Sequence, residues 1–125
     1  MKGSKKHTVL LVDDSATNNL LLQVVFDQNG FNVETASSGK DAIKILAKKH
    51  IDVVLLDLMM PQMSGFEVLT AIKGNPETAK IPVLIVSADS ERDDAEKALA
   101  MGAEYNKEKP LQLNEIVEKV KSILA

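Results

Sequence analysis

Carboxylate, hydroxyl and ammonium side chains lie at the ends of four of the five strands that the sequence predicts. They are Asp13, Asp14, Asp57, Ser87 and Lys109. Three carboxylates in one small site repel each other, since two unit charges about 4 Å apart interact by about 4 kcal/mol at an effective dielectric of about 20. A hard divalent cation such as Mg²⁺ offsets that repulsion, because it prefers carboxylate, water and phosphate oxygens. These residue types therefore predict a cation site with an acidic lining.

The same side chains are suited to phosphoryl chemistry. A carboxylate can act as a nucleophile and form an acyl phosphate. Asp57, at the end of the third strand, is a better candidate for this nucleophile than the adjacent aspartates after the first strand. A transferring phosphoryl group has three equatorial oxygens to stabilise, and Mg²⁺, the Lys109 ammonium and the Ser87 hydroxyl could each take one. Alone, each residue has an ordinary interpretation as a turn carboxylate, a capping serine or a surface lysine. The prediction therefore depends on their joint placement.

An alternation of strand and helix patterns must position these side chains. Apolar or alternating runs predict strands at Val9–Val12, Phe31–Thr35, Val53–Leu56 and Val83–Val86, with a weak and polar fifth strand near residues 104–108. A segment with helical spacing follows each strand. Five strand–helix pairs predict an α/β fold, a doubly wound five-stranded parallel sheet with helices on both faces. The polar side chains then share the carboxyl edge of the sheet, where open α/β sheets bind ligands.

The first and last helices carry the most apolar residues. In residues 16–29, Leu20, Leu21, Val24 and Val25 lie on one side of the helix, the side expected to face the core. The last helix repeats apolar residues at helical spacing, at Leu113, Ile116, Val117, Val120, Ile123 and Leu124. Both helices are therefore expected to cover the sheet.

The composition excludes several classes of protein. The chain has 125 residues, 45% of them hydrophobic, which fits one domain over residues 8–125 preceded by a flexible tail over residues 1–7. A net charge of −3 provides no electrostatic basis for binding nucleic acid or an anionic membrane. The absence of cysteine excludes disulfides and thiolate chemistry. No apolar run approaches the roughly 20 residues of a membrane span, and a cytoplasmic location fits.

Sequence motifs resemble those of one known family. The segments are VLLVDDS at 9–15, VVLLDLMMPQMSG at 53–65, PVLIVSA at 82–88, GA at 102–103 and KP at 109–110. They resemble the response regulator receiver domains of two-component phosphorelay signalling, in particular the chemotaxis-regulator type, over residues 8–124. This resemblance implies a flavodoxin-like three-layer αβα fold with the sheet order 2-1-3-4-5.

The resemblance also implies a role for each site residue. Asp57 would accept the phosphoryl group, and the metal ligands would be Asp14, Asp57 and the backbone carbonyl of Met59, with Asp13 acting through water. Mg²⁺ is the implied cofactor, with Mn²⁺ as a possible substitute. Ser87 and Lys109 would contact the phosphoryl group. Relatives also carry a switch aromatic three positions before the lysine, but Asn106 stands there and Tyr105 precedes it, so the switch would use Ser87 with Tyr105 or Asn106.

The implied partners are a phosphoryl donor and a downstream target. The donor would be a histidine kinase or a histidine phosphotransfer protein, docking near the first helix with Ser15, Asn18 and Asn19 as contacts. The target or an output domain would bind the surface of the fourth helix, fifth strand and fifth helix. The chain would then be a signalling phosphoacceptor rather than an enzyme. The alternative is a phosphorylation-independent pseudo-receiver, which the polar fifth strand favours and the complete set of site residues disfavours.

Two other hypotheses, a phosphatase and a flavin-binding protein, fit the residues less well than a receiver domain does. Phosphatases with an aspartyl nucleophile usually carry two aspartates spaced by one residue on the first strand, whereas Asp13 and Asp14 are adjacent. A flavin-binding protein of the same topology would need a phosphate cradle rich in Ser, Thr and Gly after the first strand. The sequence has Asp-Asp-Ser there.

Overall fold

The chain forms an alternating α/β fold. The computed structural model describes residues 6–58, 60, 63–86, 92–105 and 113–124, with the side chains of residues 92–95 and 105 excepted. Its elements in chain order are β1 (Thr8–Val12), α1 (Ala16–Gln28), β2 (Asn32–Ala36), α2 (Gly39–Lys48), β3 (Val53–Leu56), α3 (Gly65–Lys73), β4 (Val83–Ile85), α4 (Arg92–Ala100), β5 (Glu104–Tyr105) and α5 (Leu113–Leu124). The division into a tail over residues 1–7 and a domain over residues 8–125 stays a prediction.

The five strands form one parallel sheet in the order β2-β1-β3-β4-β5. The predicted doubly wound topology is confirmed. Strands β1 and β3 are neighbours at the centre, and their register pairs Val12 with Leu56. The residue that follows each of these strands is an aspartate, Asp13 after β1 and Asp57 after β3. The register therefore brings the two carboxylates to the same edge of the sheet.

Each face of the sheet carries its own hydrophobic core. Alternate residues of the central strands, such as Leu10 and Leu56, pack with α2, α3 and α4. The residues between them, such as Val9 and Leu55, pack with α1 and α5. Residues 9–12 and 53–56 are wholly buried, which explains why these strands read as unbroken apolar runs.

The predicted core side of α1 is wrong for three of its four residues, and only Val25 packs partly against the core. Leu20, Leu21 and Val24 are 60%, 50% and 44% exposed, whereas the buried residues of this helix are Asn19, Leu22 and Phe26. Phe26 packs edge-on against Phe31 with ring centroids 5.0 Å apart. Because α1 is apolar on more than one side, the helix leaves an exposed apolar surface.

The predicted core side of α5 is confirmed. Ile116, Val117 and Val120 are buried against the sheet, and Leu113, Ile123 and Leu124 are partly buried beside them.

Strand β5 is short and lies at the sheet edge, where Glu104 pairs with Leu84 and Tyr105 with Ile85. In the part of the chain that the structure describes, no helix has both the length and the apolar character needed to cross a membrane.

Candidate functional site

Three aspartates meet at the carboxyl edge of the sheet. Asp13, Asp14 and Asp57 each offer a carboxylate oxygen, and these oxygens all lie within 4.8 Å of one another. Asp13 is buried, Asp57 is half-buried and Asp14 is exposed. The convergence predicted from the strand ends is therefore confirmed for the acidic part of the site.

The backbone of Asp57 is fixed by its neighbours in the fold. Its amide donates to the carbonyl oxygen of Val12 at 3.0 Å, which ties the end of β3 to the end of β1. The amide of Gly65 donates to the carbonyl of Leu58 at 3.1 Å, so the start of α3 folds back onto β3. A Cβ at Gly65 would lie 2.6 Å from the Leu58 Cα and would also overlap the Asp57 carbonyl oxygen. Only glycine permits this approach.

The Asp13 carboxylate is held by hydrogen bonds to both of its oxygens. The backbone amide of Ser15 donates to Oδ1 at 2.9 Å, and the side-chain amide of Asn18 donates to Oδ2 at 3.2 Å. Burial raises the pKa of Asp13, these two hydrogen bonds oppose the rise, and the charges of Asp57 and Asp14 add to it. Burial and the two neighbouring carboxylates therefore disfavour the ionised form of Asp13, and a nearby cation would favour it.

Serine caps start the two helices nearest the site. Ser15 caps α1, where its Oγ accepts from the Asn18 amide at 3.2 Å. Ser64 and Glu67 form a capping box at α3, in which the Ser64 amide donates to Oε2 of Glu67 at 2.8 Å. These caps define where α1 and α3 begin and thereby set the loops that carry the aspartates.

The donor set fits a hard divalent cation. All three groups are carboxylates, which Mg²⁺ and Mn²⁺ bind through oxygen. Their separation is small enough for one ion to contact more than one of them. Burial, and to a smaller extent the charges of Asp57 and Asp14, raise the pKa of Asp13 despite its two hydrogen bonds, and a bound cation would oppose that rise. The residues present therefore fit a site for a hard divalent cation.

Several predicted site residues lie outside the described residues. They are Met59, Ser87, Asn106 and Lys109. Tyr105 is described as the last residue of β5, without its side chain. The roles of these residues in metal binding, phosphoryl contact and switching stay predictions.

One predicted partner contact is wrong, and two contacts of the site were not predicted. Asn19 was expected at the docking surface, but the residue is only 7% exposed and its side chain bonds inward. Neither the hydrogen bond from Asn18 to Asp13 nor the close approach of Gly65 to the Asp57 backbone was predicted. The Ser-x-x-Glu pattern at residues 64–67 is a capping signal that could have placed the start of α3.

A separate polar cluster lies at the opposite, amino end of the sheet. Asp52 accepts from the Thr8 amide at 2.7 Å and lies 2.8 Å from Nε2 of His50. Burial raises the pKa of Asp52, but the Thr8 and His50 hydrogen bonds together outweigh it, so that the pKa is lowered overall. The histidine thus contacts a structural carboxylate far from the acidic site.

Comparison with known proteins decides the family. The sequence profile described as "Response regulator receiver domain" matches residues 9–121. The chain belongs to the response regulator receiver family. A relative that it covers almost completely is the polar-differentiation response regulator DivK of Brucella ovis, 30% identical over 117 residues, which are 94% of this chain and 95% of DivK. The cluster of Asp13, Asp14 and Asp57 is therefore the acidic pocket of a receiver domain.

Other relatives are longer proteins that contain a similar segment. A probable cyclic di-GMP phosphodiesterase of Vibrio cholerae is 41% identical over 103 residues, which are 82% of this chain but 23% of that protein. The TorCAD operon transcriptional regulatory protein TorR of Escherichia coli is 31% identical over 118 residues, and the match covers half of it. The chain thus spans a quarter to a half of the length of these two relatives.

Solved receiver structures share the fold. The chemotaxis protein CheY4 of Vibrio cholerae has a TM-score of 0.88 at 27% identity, covering 96% of this chain and all of CheY4. A putative response regulator from Chloroflexus aurantiacus has a TM-score of 0.88 at 30% identity, covering 96% of this chain and 98% of that protein. The receiver fold predicted from the motifs is therefore confirmed.

Proposed function

We propose that Asp57 accepts a phosphoryl group and that this event switches a partner-binding surface. One observation carries the proposal: in a receiver domain, the carboxylates of Asp13, Asp14 and Asp57 converge within 4.8 Å at the end of two neighbouring strands. A phosphorelay function in two-component signalling follows from such a site. The chain acts as a phosphoacceptor that assists its own phosphorylation and dephosphorylation.

The transfer forms one bond and breaks one bond. A carboxylate oxygen of Asp57 attacks phosphorus, and the bond between phosphorus and the donor histidine nitrogen breaks with its electron pair on nitrogen. When bound, Mg²⁺ supplies positive charge that neutralises the carboxylates and the phosphoryl oxygens. Asp14 and Asp57 would hold it directly, with Asp13 acting through water and Met59 through its backbone carbonyl. Ser87 and Lys109 would contact the phosphoryl oxygens that remain.

The exposed side of α1 is the proposed docking surface for the phosphoryl donor. Leu20, Leu21 and Val24 are 60%, 50% and 44% exposed, and the helix they belong to starts two residues after Asp14. An exposed apolar patch beside a reactive site is typical of a protein-binding surface. A helix of a histidine kinase or a phosphotransfer protein seated there would bring its histidine to the acidic edge. Such partners place the chain in the cytoplasm.

The output surface is proposed to comprise α4, β5 and α5. Phosphorylation would bias this surface between two states, with the aspartyl phosphate drawing in Ser87. The residue that couples to it would be Tyr105 or Asn106. A downstream protein or an output domain in the same chain would read the state.

Phosphorylation with a small donor tests the proposal. The chain is incubated with Mg²⁺ and acetyl phosphate, and its intact mass is measured. We expect an adduct of roughly 80 Da, the mass of a phosphoryl group held as an acyl phosphate. The adduct should be absent from Asp57→Asn and present in Asp27→Asn, a control that changes an exposed aspartate on α1.

Two other outcomes would contradict the proposal. No adduct at any Mg²⁺ concentration would favour a pseudo-receiver that binds partners without phosphorylation. Steady release of phosphate from unrelated phosphate esters would favour a hydrolase with an aspartyl nucleophile.

A further inference from the structure

Two consecutive asparagines at the start of α1 bond to Asp13 through different atoms. The side-chain amide of Asn18 donates to Oδ2 of the Asp13 carboxylate at 3.2 Å. The side-chain amide of Asn19 donates to the backbone carbonyl of Asp13 at 2.9 Å and to that of Ala36 at 3.3 Å. One aspartate of the acidic pocket is therefore held by both its side chain and its backbone.

Asn19 fixes the backbone of Asp13. Its side-chain nitrogen faces two carbonyl oxygens, so the amide cannot be turned over without placing its oxygen against them. Its Oδ1 is buried without a hydrogen-bond partner among the residues that the structure describes. A buried acceptor without a donor is unfavourable, so the value of asparagine at this position lies in what its nitrogen donates. It joins the ends of β1 and β2 where the acidic pocket begins.

Asn18 fixes the direction of the Asp13 carboxylate. With the Ser15 amide on Oδ1 and the Asn18 side chain on Oδ2, rotation of the carboxylate would break at least one hydrogen bond. The helix cap does not need this side chain, because Ser15 Oγ accepts from the backbone amide of Asn18. The backbone amide of Asn18 thus serves the helix cap, and its side chain separately positions the Asp13 carboxylate.

We propose that Asn18 is a positioning residue for the cation site, a role that rests on the proposed function of the acidic pocket. By holding the Asp13 carboxylate in one orientation before the cation arrives, it reduces the conformational freedom that binding must remove. Hydrogen-bond partners of metal-site groups typically change metal affinity by about 10-fold to 100-fold when they are removed. Because Asp13 would act through water, Asn18 is exposed and Asp13 retains its bond to Ser15, an effect no larger than the lower end of that range is expected.

Binding of Mn²⁺ to the whole chain tests this role. The free Mn²⁺ signal in electron paramagnetic resonance is measured during titration, and Mg²⁺ is then added to displace the bound Mn²⁺. We expect Asn18→Ala to raise the dissociation constant of Mn²⁺ by about 10-fold. The matched control is Thr17→Ala, which removes an exposed side chain from the same turn of α1 and should bind Mn²⁺ as the wild type does.

Thermal unfolding in EDTA separates positioning from a structural role. A structural role would lower the metal-free melting temperature of Asn18→Ala and leave its Mn²⁺ affinity unchanged. A positioning role lowers the Mn²⁺ affinity relative to Thr17→Ala, whether or not the loss of the hydrogen bond to Asp13 also lowers the metal-free melting temperature. Equal or tighter Mn²⁺ binding by Asn18→Ala would overturn the proposal.

The two proposals fail in different ways. If the wild-type chain binds no Mn²⁺ and forms no adduct with acetyl phosphate, the proposed function has failed and the role of Asn18 fails with it. If the wild-type chain does both, and Asn18→Ala matches Thr17→Ala in Mn²⁺ affinity, only the role of Asn18 is wrong.

Discussion

Gly65 and Gly39 offer a matched pair of substitutions that tests how the acidic pocket is built. Each glycine is the first residue of its helix and follows a serine cap, Ser64 or Ser38. Replacing either by alanine adds one methyl group and gains a similar helix propensity, at most about 1 kcal/mol. The gain in helix propensity therefore cancels when the two variants are compared. The difference between their free energies of unfolding then reports the contacts that each new Cβ makes.

The atoms in the way differ between the two sites. At Gly65 the new Cβ would lie 2.6 Å from the Leu58 Cα and would overlap the Asp57 carbonyl oxygen, both backbone atoms. At Gly39 the nearest atoms belong to side chains, with Met63 Sδ at 2.6 Å and Val68 Cγ2 at 2.8 Å. The flexible Met63 side chain can move aside, and Val68 would have to shift by a few tenths of an ångström. The backbone after β3 can yield only by moving Asp57 and Leu58 themselves.

The expected losses in the free energy of unfolding follow from this difference. Overpacking against a backbone that cannot yield costs about 2–3 kcal/mol for Gly65→Ala, and repacking of side chains costs about 1 kcal/mol for Gly39→Ala. With a urea dependence of about 1–3 kcal/mol per molar, the Gly65→Ala midpoint should fall by about 0.7–3 M. Gly65→Ala should also take up phosphoryl groups from acetyl phosphate more slowly, because Asp57 is displaced. Equal midpoints and equal phosphorylation rates for the two variants would refute the reasoning.

Three further predictions concern charge and docking. Because the Asp13 pKa is raised, its ionised form opposes folding, and Asp13→Asn should raise the urea midpoint of the metal-free protein at pH 7 and weaken Mn²⁺ binding. Because the Asp52 pKa is lowered, the hydrogen bonds of the Asp52 carboxylate stabilise the fold at pH values above the ordinary pKa of aspartate. Asp52→Asn should therefore lower the free energy of unfolding by about 1 kcal/mol at pH 7. The difference from the wild type should vanish once the pH has fallen through the pKa of Asp52 in the folded protein. Leu21→Glu should change stability by less than about 0.5 kcal/mol and leave phosphorylation by acetyl phosphate unchanged, while slowing transfer from a phosphohistidine donor protein more than 10-fold.

The sheet was predictable because its central strands are buried on both faces. Such strands must be apolar at every position, so residues 9–12 and 53–56 stand out as unbroken runs that end in aspartate. Parallel strands then bring their carboxyl ends to one edge by topology alone. The convergence of Asp13, Asp14 and Asp57 needed no further information.

The packing side of α1 was not predictable from periodicity, because two overlapping apolar patterns run along the helix. Leu20 and Val24 are spaced by four residues, and so are Leu22 and Phe26. The choice between them depends on contacts with other elements, such as Phe31 and α5. Asn19 was misplaced for a related reason, since asparagine is usually exposed and only its bonds to two carbonyls explain its burial.

The exposed apolar side of α1 bears on the proposed docking of a phosphoryl donor. A helix that only covered the sheet would need one apolar side and would place polar residues on the other. Helix α1 instead has Asp27 as its only charged residue, and its outward side carries Leu20, Leu21 and Val24. This surface contributes little to the stability of the chain alone, because these side chains remain in water. Its apolar character supports the proposed docking surface, and because the helix starts two residues after Asp14, a partner that covered it would lie beside the acidic pocket.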